Sequence, residues 1–242
     1  MSDTATNRSA RQIAYGIYAW SALILASIPV LLLLVVTPGR EARRRLTRWF
    51  ARAFFLSIGS AIRVEGARTL PECPCVVVAN HSSYLDGMIL TAALPARFTF
   101  VIKHEMAGFP FAGFLLRRIG SEFVHRENEP QKNRVTRRLF KAAKLGDALA
   151  FFPEGTFTPM PGLRRFQPGA FRTAWRADLP VVPVVIFGAR AKLPAEAWLP
   201  APGPLSIAIG EPINSYEHAS AGSLLAASRG AILARLDEPD LA

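Results

Sequence analysis

Cysteine and acidic residues are both scarce in this sequence of 242 residues. The two cysteines, Cys73 and Cys75, are too few and too close together for a disulfide framework, and they lack the partner ligands that a zinc site needs. Acidic residues number 18 against 29 lysines and arginines, which gives a formal net charge of +11 at pH 7. A charge of this size and sign is typical of proteins that bind nucleic acid or an anionic membrane surface.

Charged residues are absent from one long N-terminal stretch. Residues 13–36, 24 in number, carry no charge, and a helix of that length can cross a hydrocarbon core of about 30 Å. The arginines that follow at once are Arg40, Arg43, Arg44, Arg45, Arg48 and Arg52. Basic residues beside an apolar helix are typical of the cytoplasmic side of a membrane. We therefore expect a lipid bilayer, and no nucleic acid, as the partner.

Two arrangements of the N-terminal region fit the sequence. Pro29 interrupts the apolar stretch, and an amphipathic run follows the arginines. Either the first helix spans the bilayer, or both helices form a hairpin embedded from one side. No cleaved signal peptide is predicted, since residues 37–40 lack a small-residue cleavage site. We expect residues 1–66 to be membrane-associated helices in the cytoplasmic (inner) membrane, with the following domain facing the cytoplasm.

After residue 66, short β-rich runs alternate with longer helical ones, which is typical of an α/β domain. The predicted strands are 75–79, 98–102, 122–125, 149–152, 181–187 and 205–209. The predicted helices are 86–93, 111–118, 132–145, 170–177 and 223–236. We expect residues 67–242 to form one α/β domain in which helices flank a mostly apolar, mixed sheet.

One predicted helix has a basic face, made by Arg134, Arg137, Arg138, Lys141 and Lys144. A solvated surface is the ordinary interpretation of such a face. A surface that meets lipid headgroups or an acidic acyl carrier is the alternative, and the sequence leaves both open.

A polar turn, with the sequence N-H-S-S-Y-L-D at residues 80–86, follows the first predicted strand. Five residues separate His81 from Asp86, so on one regular helix the two side chains would point about 140° apart. If His81 lies in the turn and Asp86 opens the helix, the carboxylate can fold back and fix the tautomer of the imidazole. Such a pair can take a proton from an alcohol that attacks an acyl carbonyl.

A second polar turn, F-P-E-G-T-F-T at residues 152–158, follows another predicted strand. Glu154 and Thr156 lie where α/β folds commonly place functional groups. The ordinary interpretation is turn chemistry alone, with Glu154 accepting hydrogen bonds from nearby backbone N–H groups.

Taken together, these motifs resemble the phospholipid and glycerol acyltransferase superfamily, and most of all its 1-acylglycerol-3-phosphate acyltransferases. Four blocks carry the resemblance, over about residues 75–187. They are N-H-S-S-Y-L-D at 80–86, K-H-E-M at 103–106 continuing to G-S-E-F-V-H-R at 120–126, F-P-E-G-T-F-T at 152–158, and L-P-V-V-P-V at 179–184. The order and spacing of the blocks are far more specific than any one of them.

The resemblance implies the glycerol-phosphate acyltransferase fold, and it implies roles for individual residues. His81 would be the general base and Asp86 its partner. Lys103 and Arg126 would bind the phosphate of a lysophospholipid acceptor. The residues that would contact the acceptor elsewhere are Glu154, Gly155 and Thr156.

The implied reaction joins an acyl group from acyl-CoA or acyl carrier protein to the free hydroxyl of the lysophospholipid, most simply 1-acylglycerol-3-phosphate. It requires no metal and no cofactor beyond that co-substrate. His104, His125 and His218 form no ligand-spaced set with cysteine or carboxylate. We therefore predict no metal site.

One position departs from the family pattern. Many members have arginine directly after the F-P-E-G-T string, where it helps to hold the acceptor phosphate, whereas this chain has Phe157. Arg164 or Arg165 could supply the missing charge. The departure keeps two alternatives open: another acceptor, such as a lyso-ornithine lipid or a different lysophospholipid, or a non-catalytic lipid-binding module.

Overall fold

A computed structural model describes residues 9–124, 129–144 and 146–242, with side chains of the 129–144 helix described from residue 137 onward. Two N-terminal helices, α1 (Ala10–Val36) and α2 (Arg40–Ser57), pack against each other. Ser9 caps α1 through a reciprocal pair of hydrogen bonds with Gln12. Most apolar side chains of α1 are exposed. Among the described residues, α1 is the one helix that is long and apolar enough to cross a membrane.

The rest of the fold is built around a seven-stranded sheet with the order β1-β7-β6-β2-β5-β3-β4. Neighbouring strands are parallel except for β6 and β7, which are antiparallel, so the predicted mixed sheet is confirmed. The strands are β1 (Ile62–Glu65), β2 (Val76–Ala79), β3 (Phe98–Lys103), β4 (Glu122–Val124), β5 (Ala148–Phe151), β6 (Val181–Phe187) and β7 (Leu205–Ile209). Sequence reasoning missed β1, which lies on the N-terminal side of the predicted domain boundary at residue 67.

Helices cover both faces of this sheet. They are α3 (Asp86–Ala93), α4 (Pro110–Arg118), α5 (Glu129–Lys144), α6 (Gly169–Ala177), α7 (Ala189–Lys192) and α8 (Ala221–Leu233). Side chains alternate along each strand, so Val77 and Ala79 of β2 join one core cluster with α2 and α3. Val76 and Val78 join the other, with α5, α6 and α8. The two clusters fix β2 at the centre of the fold.

Several arginines of the predicted juxtamembrane cluster bind the α/β domain. The Arg44 guanidinium donates to the backbone oxygens of Ile119 and Arg97, at 2.8 and 3.1 Å. Arg52 Nε donates to Ala92 O at 2.7 Å. Hydrogen bonds from charged donors are stronger than neutral ones. Part of the positive charge therefore docks α2 on the domain.

Candidate active site

The two polar turns meet at the carboxyl edge of the sheet. Strands β2 and β5 are parallel neighbours, with Val78 opposite Phe151. His81 and Glu154 each lie three residues beyond that pair, so the register brings them to the same level. The His81 backbone N–H donates to Glu154 Oε1 at 2.7 Å. The structure thus joins two motifs that are 73 residues apart in the sequence.

His81 and Asp86 form the predicted hydrogen-bonded pair. His81 Nδ1 lies 2.9 Å from Asp86 Oδ2. Asp86 is completely buried, whereas the His81 side chain is 19% exposed. A carboxylate acceptor at Nδ1 selects the tautomer in which that nitrogen carries the proton. Nε2 is then left with its lone pair, as a general base requires.

Asp86 is the first residue of α3, and its Oδ2 atom accepts two further hydrogen bonds. The backbone N–H groups of Ser82 and Ser83 donate to it at 2.6 and 2.8 Å. A carboxylate at a helix N-terminus also meets the positive end of the helix dipole. The fold-back geometry expected from the five-residue spacing is therefore present, and Asp86 holds both the imidazole and the turn.

Two buried polar side chains fasten this turn to β6 and to the residue after α7, and sequence reasoning missed both. Asn80 accepts from the backbone N–H of Ile186 at 2.7 Å and donates to its carbonyl at 3.1 Å. Ser83 Oγ donates to Leu193 O at 2.8 Å. Their position beside His81, directly after a buried strand, could have indicated that both are buried. Buried polar groups need hydrogen-bond partners, so an anchoring role would have followed.

Glu154 connects the two turns to a longer loop. Its Oε1 accepts from His81 N–H, and its Oε2 accepts from Arg164 N–H at 2.9 Å. The side chain is only 6% exposed, and this burial raises the pKa of Glu154 to about 7, although the two backbone hydrogen bonds oppose the rise. Gly155 follows with φ +78°, a conformation that favours glycine, and Thr156 is exposed.

Aromatic rings surround the His81 imidazole. Phe152 stacks on it with ring centroids 4.4 Å apart, and Phe157 makes an edge contact at 4.6 Å. Tyr84 in turn contacts Phe157 at 4.8 Å. The residue that departs from the family pattern therefore forms a wall of the site beside the histidine.

The residues predicted to bind the acceptor phosphate are not on the strands that meet at His81. Lys103 is the last residue of β3, two strands from β2, and its Nζ lies 3.1 Å from Glu105 Oε1. Arg126 lies outside the described residues. Arg164 reaches Glu154 through its backbone, while Arg165 is exposed. Among the described residues, no three His, Cys, Asp or Glu side chains come together in a way that could hold a metal ion.

Comparisons with known proteins place this geometry in context. The Acyltransferase family model matches residues 61–187, which is just over half of the chain. A lyso-ornithine lipid O-acyltransferase of Pseudomonas aeruginosa is 32% identical over 205 residues, which cover 84% of this chain and 73% of that protein. The human 1-acyl-sn-glycerol-3-phosphate acyltransferase beta is 30% identical over 70% of this chain and 62% of its own length.

A solved structure shares the fold. The 1-acyl-sn-glycerophosphate acyltransferase PlsC from Thermotoga maritima superposes with a TM-score of 0.77 at 23% sequence identity. The match covers 92% of this chain and 93% of that structure. The match confirms the predicted fold, a mixed sheet flanked by helices.

Proposed function

Because the chain belongs to the acyltransferase family, as its motifs predict, we propose that it esterifies the free hydroxyl of a lysophospholipid in phospholipid synthesis. One observation carries the proposal: the hydrogen bond between His81 Nδ1 and the buried Asp86 Oδ2, at 2.9 Å. It leaves His81 Nε2 as a base at the carboxyl edge of the sheet, where α/β enzymes hold their substrates.

In the proposed reaction, His81 Nε2 removes the proton from the acceptor hydroxyl as the hydroxyl oxygen attacks the thioester carbonyl. The new carbon–oxygen bond forms and the carbon–sulfur bond breaks. The imidazolium returns its proton to the departing thiolate, while Asp86 stabilises the positive charge. The products are an ester and a free thiol, and no acyl-enzyme forms. The donor is acyl-CoA or acyl carrier protein, and this chemistry needs no further cofactor.

Lysophosphatidic acid is the leading acceptor, supported by the names of the human relative and of the Thermotoga structure. Lys103 would bind its phosphate, together with Arg126. The ion pair of Lys103 with Glu105 is largely exposed, and exposed pairs contribute little free energy. A phosphate can therefore compete for the ammonium group. Glu154, Gly155 and Thr156 would contact the rest of the acceptor.

A lyso-ornithine lipid is the second candidate acceptor, and two observations favour it. Phe157 lies against His81 where an arginine would favour a phosphate. The relative from Pseudomonas aeruginosa that matches 84% of this chain carries that activity in its name. The two acceptors share the same transfer chemistry and differ in the headgroup that the aromatic wall must accommodate.

The exposed apolar surface of α1 supports a place at a membrane. We propose that residues 1–66 are associated with the cytoplasmic membrane and that the α/β domain faces the cytoplasm, as the arginines after α1 suggest. A lysolipid could then enter the site from the bilayer.

The experiment measures acyl transfer by purified protein, and the signal is the release of the free thiol. The donors are an acyl-CoA and an acyl carrier protein, and the acceptors are lysophosphatidic acid, lyso-ornithine lipid and lysophosphatidylcholine. His81→Ala should lose about 10²- to 10⁴-fold in kcat, the contribution of a general base. His218→Ala is the matched control and should match wild type.

Transfer to lysophosphatidic acid that depends on His81 supports the leading acceptor. Transfer to lyso-ornithine lipid alone selects the second candidate. Absence of transfer with every donor and acceptor would contradict the proposed enzyme and favour a lipid-binding module.

A further inference from the structure

The connection between β5 and α6 is long, covering residues 152–168, and it has no helix or strand of its own. We call it the β5–α6 loop. Loops of this length in compact domains are commonly functional. Its first part places Phe157 against His81, and its last part places the Arg164 N–H on Glu154 Oε2. The loop also contains Phe152 and Glu154, which contact His81 themselves. This side of the proposed active site therefore depends on the conformation of the loop.

An ion pair from outside the loop holds its middle. Arg190, in α7, donates from Nε to Glu238 Oε1 and from Nη2 to Glu238 Oε2, both at 2.9 Å. The same guanidinium donates from Nη1 to Thr158 O at 2.8 Å. Glu238 Oε2 accepts from Gly162 N–H at 2.7 Å. One bidentate pair thus binds a carbonyl and an N–H of the loop directly.

The residues after Glu238 extend this contact as a strand-like segment. Leu163 N–H donates to Pro239 O at 2.8 Å, and Leu241 N–H donates to Leu163 O at 3.0 Å. Arg229 of α8 donates to Leu163 O at 2.9 Å and forms an ion pair with Asp240. These bonds hold both the N–H and the carbonyl group of Leu163. Leu163 directly precedes Arg164, whose N–H donates to Glu154 Oε2.

Gly162 shows how tightly this segment is seated. Its φ is +135°, and a Cβ added there would lie 2.4 Å from Leu241 Cγ and 2.9 Å from Pro239 O. A side chain at position 162 would push the segment away. Glycine is therefore required at position 162 by the packing of the C-terminal segment against the loop, as well as by the backbone conformation.

From these contacts we infer that Arg190 and Glu238 are positioning residues, which set the β5–α6 loop, including its Glu154 and Phe157, against His81 and thereby shape the acceptor side of the active site. The inference rests on the proposed function for its kinetic consequence. The pair is mostly buried, with side chains 17% and 20% exposed, and bidentate pairs of this kind fix geometry as well as contribute energy.

Glu238→Gln tests the inference with little change of shape. Glutamine can still accept from Gly162 N–H, but it loses the charge that holds Arg190 in two bonds, so Thr158 and Phe157 are held less firmly. A displacement of about 1 Å near reacting groups can cost up to about 100-fold. We expect the acceptor KM to rise by about 10-fold, while the donor KM stays within about twofold. Glu217→Gln is the matched control, since Glu217 is exposed and accepts one hydrogen bond from Asn214.

A double variant separates positioning from stability. A single substitution leaves one charge of the pair without its partner, whereas replacing both partners by apolar residues does not, so Arg190→Met with Glu238→Leu should melt at a higher temperature than either single variant. If the pair positions the loop, the acceptor KM of this double variant stays raised, because Thr158 O and Gly162 N–H have lost their partners. Recovery of both the melting temperature and the acceptor KM would overturn the inference and leave a purely structural role.

Hydrogen exchange provides a readout that does not depend on catalysis. In Glu238→Gln, the amides of residues 155–166 and of His81 should exchange faster than in wild type, while those of β7 are unchanged. Unchanged exchange in the loop would overturn the positioning role even in an active enzyme. Faster exchange in a protein whose wild type transfers no acyl group would support the role and contradict the proposed function, so the two failures are distinguishable.

Discussion

Asp86→Asn is the sharpest test of the proposed base and its partner, because it removes a charge and almost no volume. Asp86 Oδ2 accepts from His81 Nδ1, Ser82 N–H and Ser83 N–H, whereas Oδ1 has no hydrogen-bond partner among the described residues. An asparagine that places its carbonyl at Oδ2 keeps all of these bonds. The turn and the start of α3 should therefore keep their shape.

The expected loss comes from the imidazolium that forms during transfer. A hydrogen bond to a charged group contributes about 1.5–3 kcal/mol, which corresponds to about 10- to 150-fold in rate. If the amide instead turns its NH₂ group toward His81, it selects the wrong tautomer, and the same substitution in a serine-protease triad lowers kcat by about 10⁴. We expect kcat to fall by about 10- to 10⁴-fold, depending on which way the amide turns, with both KM values changed by less than about threefold.

The measurement is thiol release at saturating donor and acceptor, with a thermal melt of each protein. Asp178→Asn is the matched control, because Asp178 accepts one hydrogen bond from Ser215 and has φ 55°, a conformation that asparagine tolerates. A kcat of Asp86→Asn above about one third of wild type, in a normally folded protein, would refute the base–partner argument.

Two further substitutions test other parts of the structure. Glu154→Gln removes a carboxyl whose pKa is raised by burial from 4.5 to about 7. Such a group stabilises the fold fully below about pH 4.5, and its contribution, on the order of 3 kcal/mol, is lost as pH rises through about 7. Thermal melts between about pH 5 and 8 should therefore fall less steeply in the variant than in wild type, and parallel curves would contradict this. Lys192→Met removes a fully buried ammonium that donates to Tyr15, Ser60 and Ala201. Stranded polar groups cost about 1–3 kcal/mol each, so the melting temperature should drop by at least about 4 °C, while Lys141→Met, at an exposed position, should leave it unchanged.

Three of the six strands that were predicted from sequence share a physical property. The β2, β5 and β6 strands are buried on both faces and consist of continuous apolar runs, which give a clear signal. The missed strand, β1, lies at the sheet edge and alternates half-buried and exposed residues, with Arg63 and Glu65 pointing outward. Four residues of this kind cannot be told from a loop by composition.

In the candidate site, the local contact could be predicted from the sequence and the long-range contact could not. The contact between His81 and Asp86 is local, so the five-residue spacing and the strand–turn–helix pattern were enough to predict it. The bond from His81 N–H to Glu154 depends on β2 and β5 being neighbours, although β3 and β4 lie between them in the sequence. The interpretation of Glu154 as a plain turn residue named the correct bonding, since both its partners are backbone N–H groups. It missed that one of them belongs to the histidine.

A four-residue helix, α7, explains how such distant parts share one geometry. Its Arg190 holds the β5–α6 loop, and its Lys192 binds the Tyr15 hydroxyl of α1 at 3.0 Å. The next residue, Leu193, accepts the hydrogen bond of Ser83 in the turn that follows β2. Within four residues, the chain therefore fastens the apolar N-terminal helix, the turn that carries His81, and the loop whose Phe157 lies against His81. Because these attachments lie within the four consecutive residues 190–193, a shift of any of the three strains the other two, and the fold keeps the proposed lipid entry and the proposed base in a fixed relation.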